Sequence, residues 1–148
     1  MNTVKDLLNE KSSTVWSISP KAKVFDALKL MSEKQIGALM VMDEKGETAG
    51  IITERDYARK IILLGKTSKE TAVEEIMTPV DKMYYIKPAN TVEECMVLMT
   101  AKHVRHLPVC DEGKFAGLVS IGDVVKSIIS EKETLINQLS DYIGGKYL

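Results

Sequence analysis

Gly50-Ile51-Ile52-Thr53-Glu54-Arg55-Asp56 and Gly117-Leu118-Val119-Ser120-Ile121-Gly122-Asp123 are two copies of one pattern, Gly-x-x-Thr/Ser-x-x-Asp. The match spreads outward from both. A shift of 67 residues pairs Gly50 with Gly117, Asp56 with Asp123, Ile61 with Ile128 and Ile62 with Ile129. Upstream of a one-residue deletion the shift becomes 68, pairing Ile18 with Ile86, Pro20 with Pro88, Val24 with Val92, Met31 with Met99, Leu39 with Leu107 and Asp43 with Asp111. Two copies do not make a solenoid, whose periods are usually ~20 to 50 residues with at least ~3 copies. They imply two similar units in one pseudo-symmetric body.

Each unit has the same internal periodicity. Val24, Ala27, Leu28 and Met31, and again Val92, Cys95, Met96 and Met99, follow the i, i+3, i+4, i+7 spacing of an amphipathic helix. Thr91 with Glu94 forms a capping box for the second of these. The apolar runs Leu39 to Met42 and Leu107 to Cys110 end in the turns Asp43-Glu44-Lys45-Gly46 and Asp111-Glu112-Gly113, so the runs that follow, from Ala49 and from Ala116, read as hairpin partners. A second helix starts near Glu54 and near Ile121. With extended pieces at Val15 to Ile18 and Met83 to Ile86, each unit is β-α-β-β-α. Thr3 to Asn9 reads as a leading helix and the stretch from Gly65 to Pro79 as a polar connection. The C-terminal stripe Val125, Ile129, Ile136, Leu139 and Ile143 extends a helix to a stop at Gly144-Gly145, and it needs a surface to pack on.

Composition narrows the function. The 148 residues are 45% hydrophobic and 28% charged, as in a globular protein. Twenty Lys+Arg against 21 Asp+Glu leave a net charge of -1, without the basic excess that nucleic-acid binding calls for. The longest apolar runs fall far short of the ~20 residues of a membrane span, and Met1 to Asp6 lacks a signal-peptide core, so the expected setting is cytoplasmic. Cys95 and Cys110 are too few for a disulfide framework and are expected reduced and buried.

Catalytic and metal motifs are absent. Gly65-Lys66-Thr67 matches the end of a phosphate-binding loop, but the glycine required five residues earlier is Lys60. His103, His106 and Cys110 fit no closed zinc spacing. The repeated Gly-x-x-Thr/Ser-x-x-Asp supports two readings. A hydroxyl three residues before an acid at a strand-to-helix junction is a helix cap. The same parts also serve a nucleotide, since a helix N-terminus and a hydroxyl favour phosphate while a carboxylate accepts both hydroxyls of a ribose.

On these residues, together with Ile76-Met77-Thr78 and Val104-Arg105-His106-Leu107-Pro108-Val109-Cys110-Asp111, the chain resembles a tandem pair of CBS domains, also called a Bateman module, over residues 13 to 130. The resemblance implies an α+β fold of two pseudo-symmetric β-α-β-β-α units packed sheet to sheet with flanking helices: an N-terminal helix at 1–12, CBS domains at 13–66 and 83–130, a linker at 67–82 and a C-terminal extension at 131–148. It implies a non-catalytic regulatory sensor that binds AMP, ATP or a related adenosine ligand in clefts between the units, with NAD(H) or S-adenosylmethionine as other occupants and no metal. Carried over by position, one cleft uses Asp123 for ribose, Ser120 and Gly122 near ribose and phosphate, Arg105 and His106 for phosphate, and Ser19 and Val24. The other uses Asp56, Thr53, Arg55, Lys87 and Val92, with Gly37-Ala38 in place of Arg105-His106. Ile18, Ile36, Ile86 and Val104 are candidates for the adenine slot, or simply core residues. The partners expected are a homodimer mate and a regulated protein. The competing classes are a structural adaptor with vestigial sites and an enzyme of nucleotide or redox metabolism.

Overall fold

A computed structural model describes residues 2–11 and 14–144. Its contacts divide the chain into two compact units, 14–84 and 1–13 with 85–148, here called the first and second units. The fold is α+β with two sheets.

The first unit begins with β1 (Ser17–Ile18), followed by α2 (Val24–Lys34), β2 (Ala38–Met42) and β3 (Thr48–Thr53). α3 (Glu54–Tyr57) runs into a π-helical turn over Ala58–Ile62. Residues 67–82, read as a linker, carry α4 (Val73–Ile76) and β4 (Thr78–Pro79) of this same unit. The sheet order is β1-β2-β3-β4, with β1 parallel to β2 and the other pairs antiparallel. The core joins Val24, Ala27 and Met31 of α2 to Leu39, Val41, Ile52 and Ile61, closed by Val73 and Ile76 of α4.

The second unit consists of α1 (Val4–Glu10), α5 (Val92–Lys102), β5 (His106–Asp111), β6 (Lys114–Ser120) and α6 (Ile121–Tyr142). The extended piece expected at 83–86 contracts to one parallel bridge, Ile86 to Val109, the counterpart of the Ile18–Val41 pair. Its core holds Val92, Cys95 and Met99 of α5 with Leu107, Val109, Val119 and Val124, and takes in Val4 and Leu7 of α1. Cys95 is buried and Cys110 half-buried, and both are free thiols. Burial pushes the Cys95 thiol up to about 11, which keeps it protonated.

α1 and α4 are equivalent parts that close units non-contiguous with their own repeat. Val4 N–H donates to the Asn90 carbonyl (2.8 Å) and Lys5 N–H to Pro88 (3.0 Å); in the first unit Val73 N–H donates to Ala22 (2.8 Å) and Glu74 N–H to Pro20 (2.9 Å). In return Val92 N–H reaches the Asn2 carbonyl (3.0 Å) and Val24 N–H the Thr71 carbonyl (2.9 Å), so a main-chain segment occupies donors at the start of α5 and of α2. The Thr91–Glu94 capping box is formed as well.

The hairpins differ only at their turns, where the one-residue deletion falls. Glu112 (φ +50°) and Gly113 (φ +80°) make a two-residue turn of the left-handed kind that suits tight hairpins, and Asp111 pairs directly with Lys114. In the longer turn Asp43 Oδ1 accepts from Lys45 and Glu47 N–H, both at 2.9 Å, before Gly46 (φ +77°).

α6 carries the expected stripe along its length, and Val125, Ile129, Ile136, Leu139 and Ile143 are 45–59% exposed. Gly144 (φ +70°) follows the helix end; the other half of the expected stop, Gly145, lies outside the described residues.

Candidate functional site

In both units the motif lies where the last strand of the hairpin turns into a helix. In the second unit Ser120 is the N-cap of α6. Its Oγ accepts the Asp123 N–H (3.2 Å), and Asp123 Oδ2 accepts the Ser120 N–H (2.9 Å). In the first unit Thr53 caps α3 with the same reciprocal pair at 3.2 and 2.9 Å, and the Thr53 hydroxyl also reaches Asp56 Oδ2 at 3.2 Å. The capping reading of the repeated pattern therefore holds in geometry, and one oxygen of each aspartate serves it. A carboxylate has about four lone-pair directions, so the box leaves acceptor capacity for other donors.

The hairpin register assembles more of the expected set. His106 pairs with Ser120 across the β5–β6 ladder, and the Ile121 N–H donates to the Arg105 carbonyl at 2.8 Å. The main chain thus places Arg105 and His106 beside Ser120 and the start of α6, at the end of the hairpin where Ser120 and Asp123 form the cap. Gly122 lies on the first turn of α6, where an added Cβ would meet only Ser120 Oγ at 3.6 Å, so the backbone there is open. The first unit builds the same corner from Gly37 and Ala38: Ala38 pairs with Thr53, and the Glu54 N–H donates to the Gly37 carbonyl at 3.0 Å. Arg55, on α3, is half-buried.

The remaining residues of the carried-over set are placed differently. Ser19 and Val24 belong to the first unit, and Lys87 and Val92 to the second. Ser19 is exposed, with its Oγ accepting the Lys21 N–H at 3.2 Å. Lys87 is exposed, and its N–H donates to Asn90 Oδ1 at 2.9 Å. The side chains of Val24 and Val92 are fully buried in the cores. Ile86 is also a core residue, and Ile18, Ile36 and Val104 pack partly buried against the cores.

Each motif aspartate has a lysine partner. Lys60, one turn along from Asp56, sits 3.3 Å from Asp56 Oδ1 and donates to the Ile76 carbonyl at 2.9 Å. Asp123 is met from the other end of the chain: Lys11 Nζ donates to Asp123 Oδ2 at 2.7 Å and to the Leu118 carbonyl at 2.9 Å. Burial pushes the Asp123 carboxyl up, but the hydrogen bonds from Lys11 and Ser120 and the lysine's charge outweigh it and hold the group below the usual carboxylate range.

The CBS family model matches residues 4–63 and 73–130. The chain belongs to the CBS domain family. The two CBS matches begin at α1 and α4, the helices that the packing identifies as equivalent. The mitochondrial CBS domain-containing protein CBSX3 of Arabidopsis thaliana is 40% identical over 152 residues, covering 98% of this chain and 73% of that protein. A CBS-domain protein from Burkholderia ambifaria MC40-6 has a solved structure 50% identical with a TM-score of 0.82, covering 87% of this chain and 95% of that one. The CBS domain pair of protein MJ0100, solved in complex with 5′-methylthioadenosine and S-adenosyl-L-methionine, is 23% identical with a TM-score of 0.73, covering 88% of this chain and 98% of that one; the likeness is one of fold. Among the described residues, no helix is long and apolar enough to cross a membrane.

Proposed function

We propose that this CBS pair is a non-catalytic regulatory sensor, acting in the cytoplasm, that binds an adenosine-containing ligand such as AMP, ATP or S-adenosylmethionine at its Gly-x-x-Thr/Ser-x-x-Asp motifs. The observation that carries the reading is the corner of the second unit, where the hairpin register brings the main chain of Arg105 and His106 next to Ser120 and the first turn of α6, which carries Asp123. A carboxylate suits a ribose diol, and the cationic side chain with the helix start suits phosphate. The adenosyl ligands named for the MJ0100 pair are of the same class. The first unit, with Gly37 and Ala38 at the equivalent corner, has the weaker hold on phosphate.

A structural adaptor is the second reading, favoured by capping boxes that already give both aspartates a task. Thermal melting separates the two. A sensor gains roughly 2.7 kcal/mol of stability from AMP, ATP or S-adenosylmethionine supplied at ~100 times its Kd, whereas an adaptor with vestigial sites shows an unchanged melting curve with all three.

The protein acts as a homodimer through its outer helices, because the α6 stripe sets a row of half-exposed apolar side chains along one helix, a surface that a second copy can cover. Truncation after Ser130 removes Ile136, Leu139 and Ile143 and should convert the dimer to monomer or aggregate in sedimentation velocity. A truncated protein that sediments as a clean dimer would contradict this role for the stripe.

A further inference from the structure

The two units supply the counter-charge of the motif aspartate in different ways. In the first unit it comes from Lys60, four residues further along the same helical segment. The position equivalent to Lys60 in the second unit is Ser127, which is buried and accepts a hydrogen bond from Asn2 Nδ2 at 3.4 Å, so that helix offers no lysine there. Lys11 takes over from a distance of 112 residues in sequence. It lies just past the end of α1, close to where the chain leaves the second unit for the first.

We propose that Lys11 is an intramolecular competitor for the ribose-binding carboxylate of Asp123, so that ligand entry displaces its ammonium group. This rests on the reading of Asp123 as the ribose acceptor. A ribose diol that spans the carboxylate sets one hydroxyl on each oxygen, and the hydroxyl at Oδ2 then meets Lys11. Asp123 Oδ2 already accepts from the Ser120 N–H and from Lys11, which uses the two lone pairs of that oxygen. The Ser120 bond is part of the helix cap and stays with the backbone. The lysine bond is the one that can give way, because the pair is partly open to water, with side chains 34% and 24% exposed, and such pairs are weak.

Releasing the ammonium does not require α1 to leave. Val4 and Leu7 remain buried in the core, and the main-chain bonds of Val4 and Lys5 to Asn90 and Pro88 are untouched by a change at Asp123. Lys11 therefore sets ligand affinity in the second unit, and its state reports occupancy at the place where the chain crosses between units. The first unit has no such report, since its lysine belongs to the same helix as its aspartate.

Two measurements test the competition. Isothermal calorimetry with the full chain should show Lys11→Met binding AMP about threefold more tightly than wild type, the scale of a partly exposed ion pair, with 2′-deoxy-AMP gaining less and Lys11→Arg behaving as wild type. In the wild-type protein, acetylation of Lys11 followed by mass spectrometry should speed up when AMP is added, a readout that does not depend on any variant folding. Unchanged or weaker AMP binding by Lys11→Met, or AMP protection of Lys11, would overturn the competition while leaving the ribose reading intact, provided Asp123→Ala still loses AMP. If AMP binding is absent or ignores Asp123→Ala in both backgrounds, the ribose reading fails and the competition fails with it.

Discussion

Gly50→Ala should destabilise the first unit by about 1–3 kcal/mol, the range for forcing atoms into a packed interior, while Gly117→Ala should cost well under half of that. The two glycines occupy the same place in the repeated motif, and neither has a left-handed backbone, so the difference comes from what faces them. A Cβ on Gly50 would fall inside the contact distance of the Thr78 carbonyl oxygen, with Met77 Sδ at 3.1 Å and Pro79 Cα at 3.2 Å. Thr78 and Pro79 are β4, paired with Ile51 and Gly50 themselves, so the new methyl group pushes apart the ladder it sits on. The Met77 side chain can turn aside, but the Thr78 carbonyl and Pro79 Cα are backbone of the paired strand and cannot.

On Gly117 the added Cβ would meet Leu8 Cδ2 at 2.8 Å and Cδ1 at 3.2 Å. These are the ends of a partly buried side chain that can change rotamer, and a Gly to Ala change also lowers unfolded-chain entropy by the equivalent of ~0.4–1 kcal/mol where the backbone allows it. Thermal melting of the two variants should show Gly50→Ala several degrees lower, at roughly 2–4 °C per kcal/mol for a chain of this size. Equal shifts would mean that β4 is not held against β3 as described.

The same contrast explains why part of the fold escapes a reading of the sequence. The hairpins and the helices α2, α5 and α6 announce themselves through apolar spacing sustained over two or more turns, turn residues and caps. α4 is one turn long, and one turn cannot display a period, so its residues pass for a polar linker. A signal was present nonetheless: Val73-Glu74-Glu75-Ile76-Met77 and Val4-Lys5-Asp6-Leu7-Leu8 share apolar positions i, i+3 and i+4 and an acid at the capping-box position. Extending the repeat upstream by those residues finds both closing helices. Which unit each closes is a matter of packing, because local sequence carries no information about the far end of the chain.

The candidate site divides in the same way. Thr53, Asp56, Ser120 and Asp123 were legible as caps and as ligand candidates from spacing alone, and the register that brings Arg105 and His106 to Ser120 follows from the hairpin. Val24 and Val92, carried over as ligand residues, are spoken for by the cores. Lys11 was missed because its contact with Asp123 spans nearly the whole chain, and one lysine among the 20 basic residues has no local mark of its role.

Asp123→Ala should reduce AMP affinity in the second unit by at least ~10-fold, since two charge-assisted hydrogen bonds to ribose of about 1.5–3 kcal/mol each are lost before non-additivity is counted. The cap and the ribose acceptor predict separable outcomes. Loss of the capping box alone costs roughly 0.5–2 kcal/mol of stability and leaves affinity unchanged well below the melting temperature. Wild type should prefer AMP to 2′-deoxy-AMP, and the variant should lose most of that preference, because the missing hydroxyl and the missing carboxylate belong to the same bond. Asp56→Ala provides the internal comparison: its cap is built as in the second unit, but Gly37 and Ala38 stand where Arg105 and His106 would face the phosphate, so a smaller loss of affinity is expected for a similar loss of stability. Calorimetry on both single variants and the double variant decides the matter. Unchanged isotherms in all three would leave the aspartates as caps and remove the central residues of the sensor, whereas a 10-fold loss confined to Asp123→Ala would place the working site in the unit that holds Arg105, His106 and Lys11.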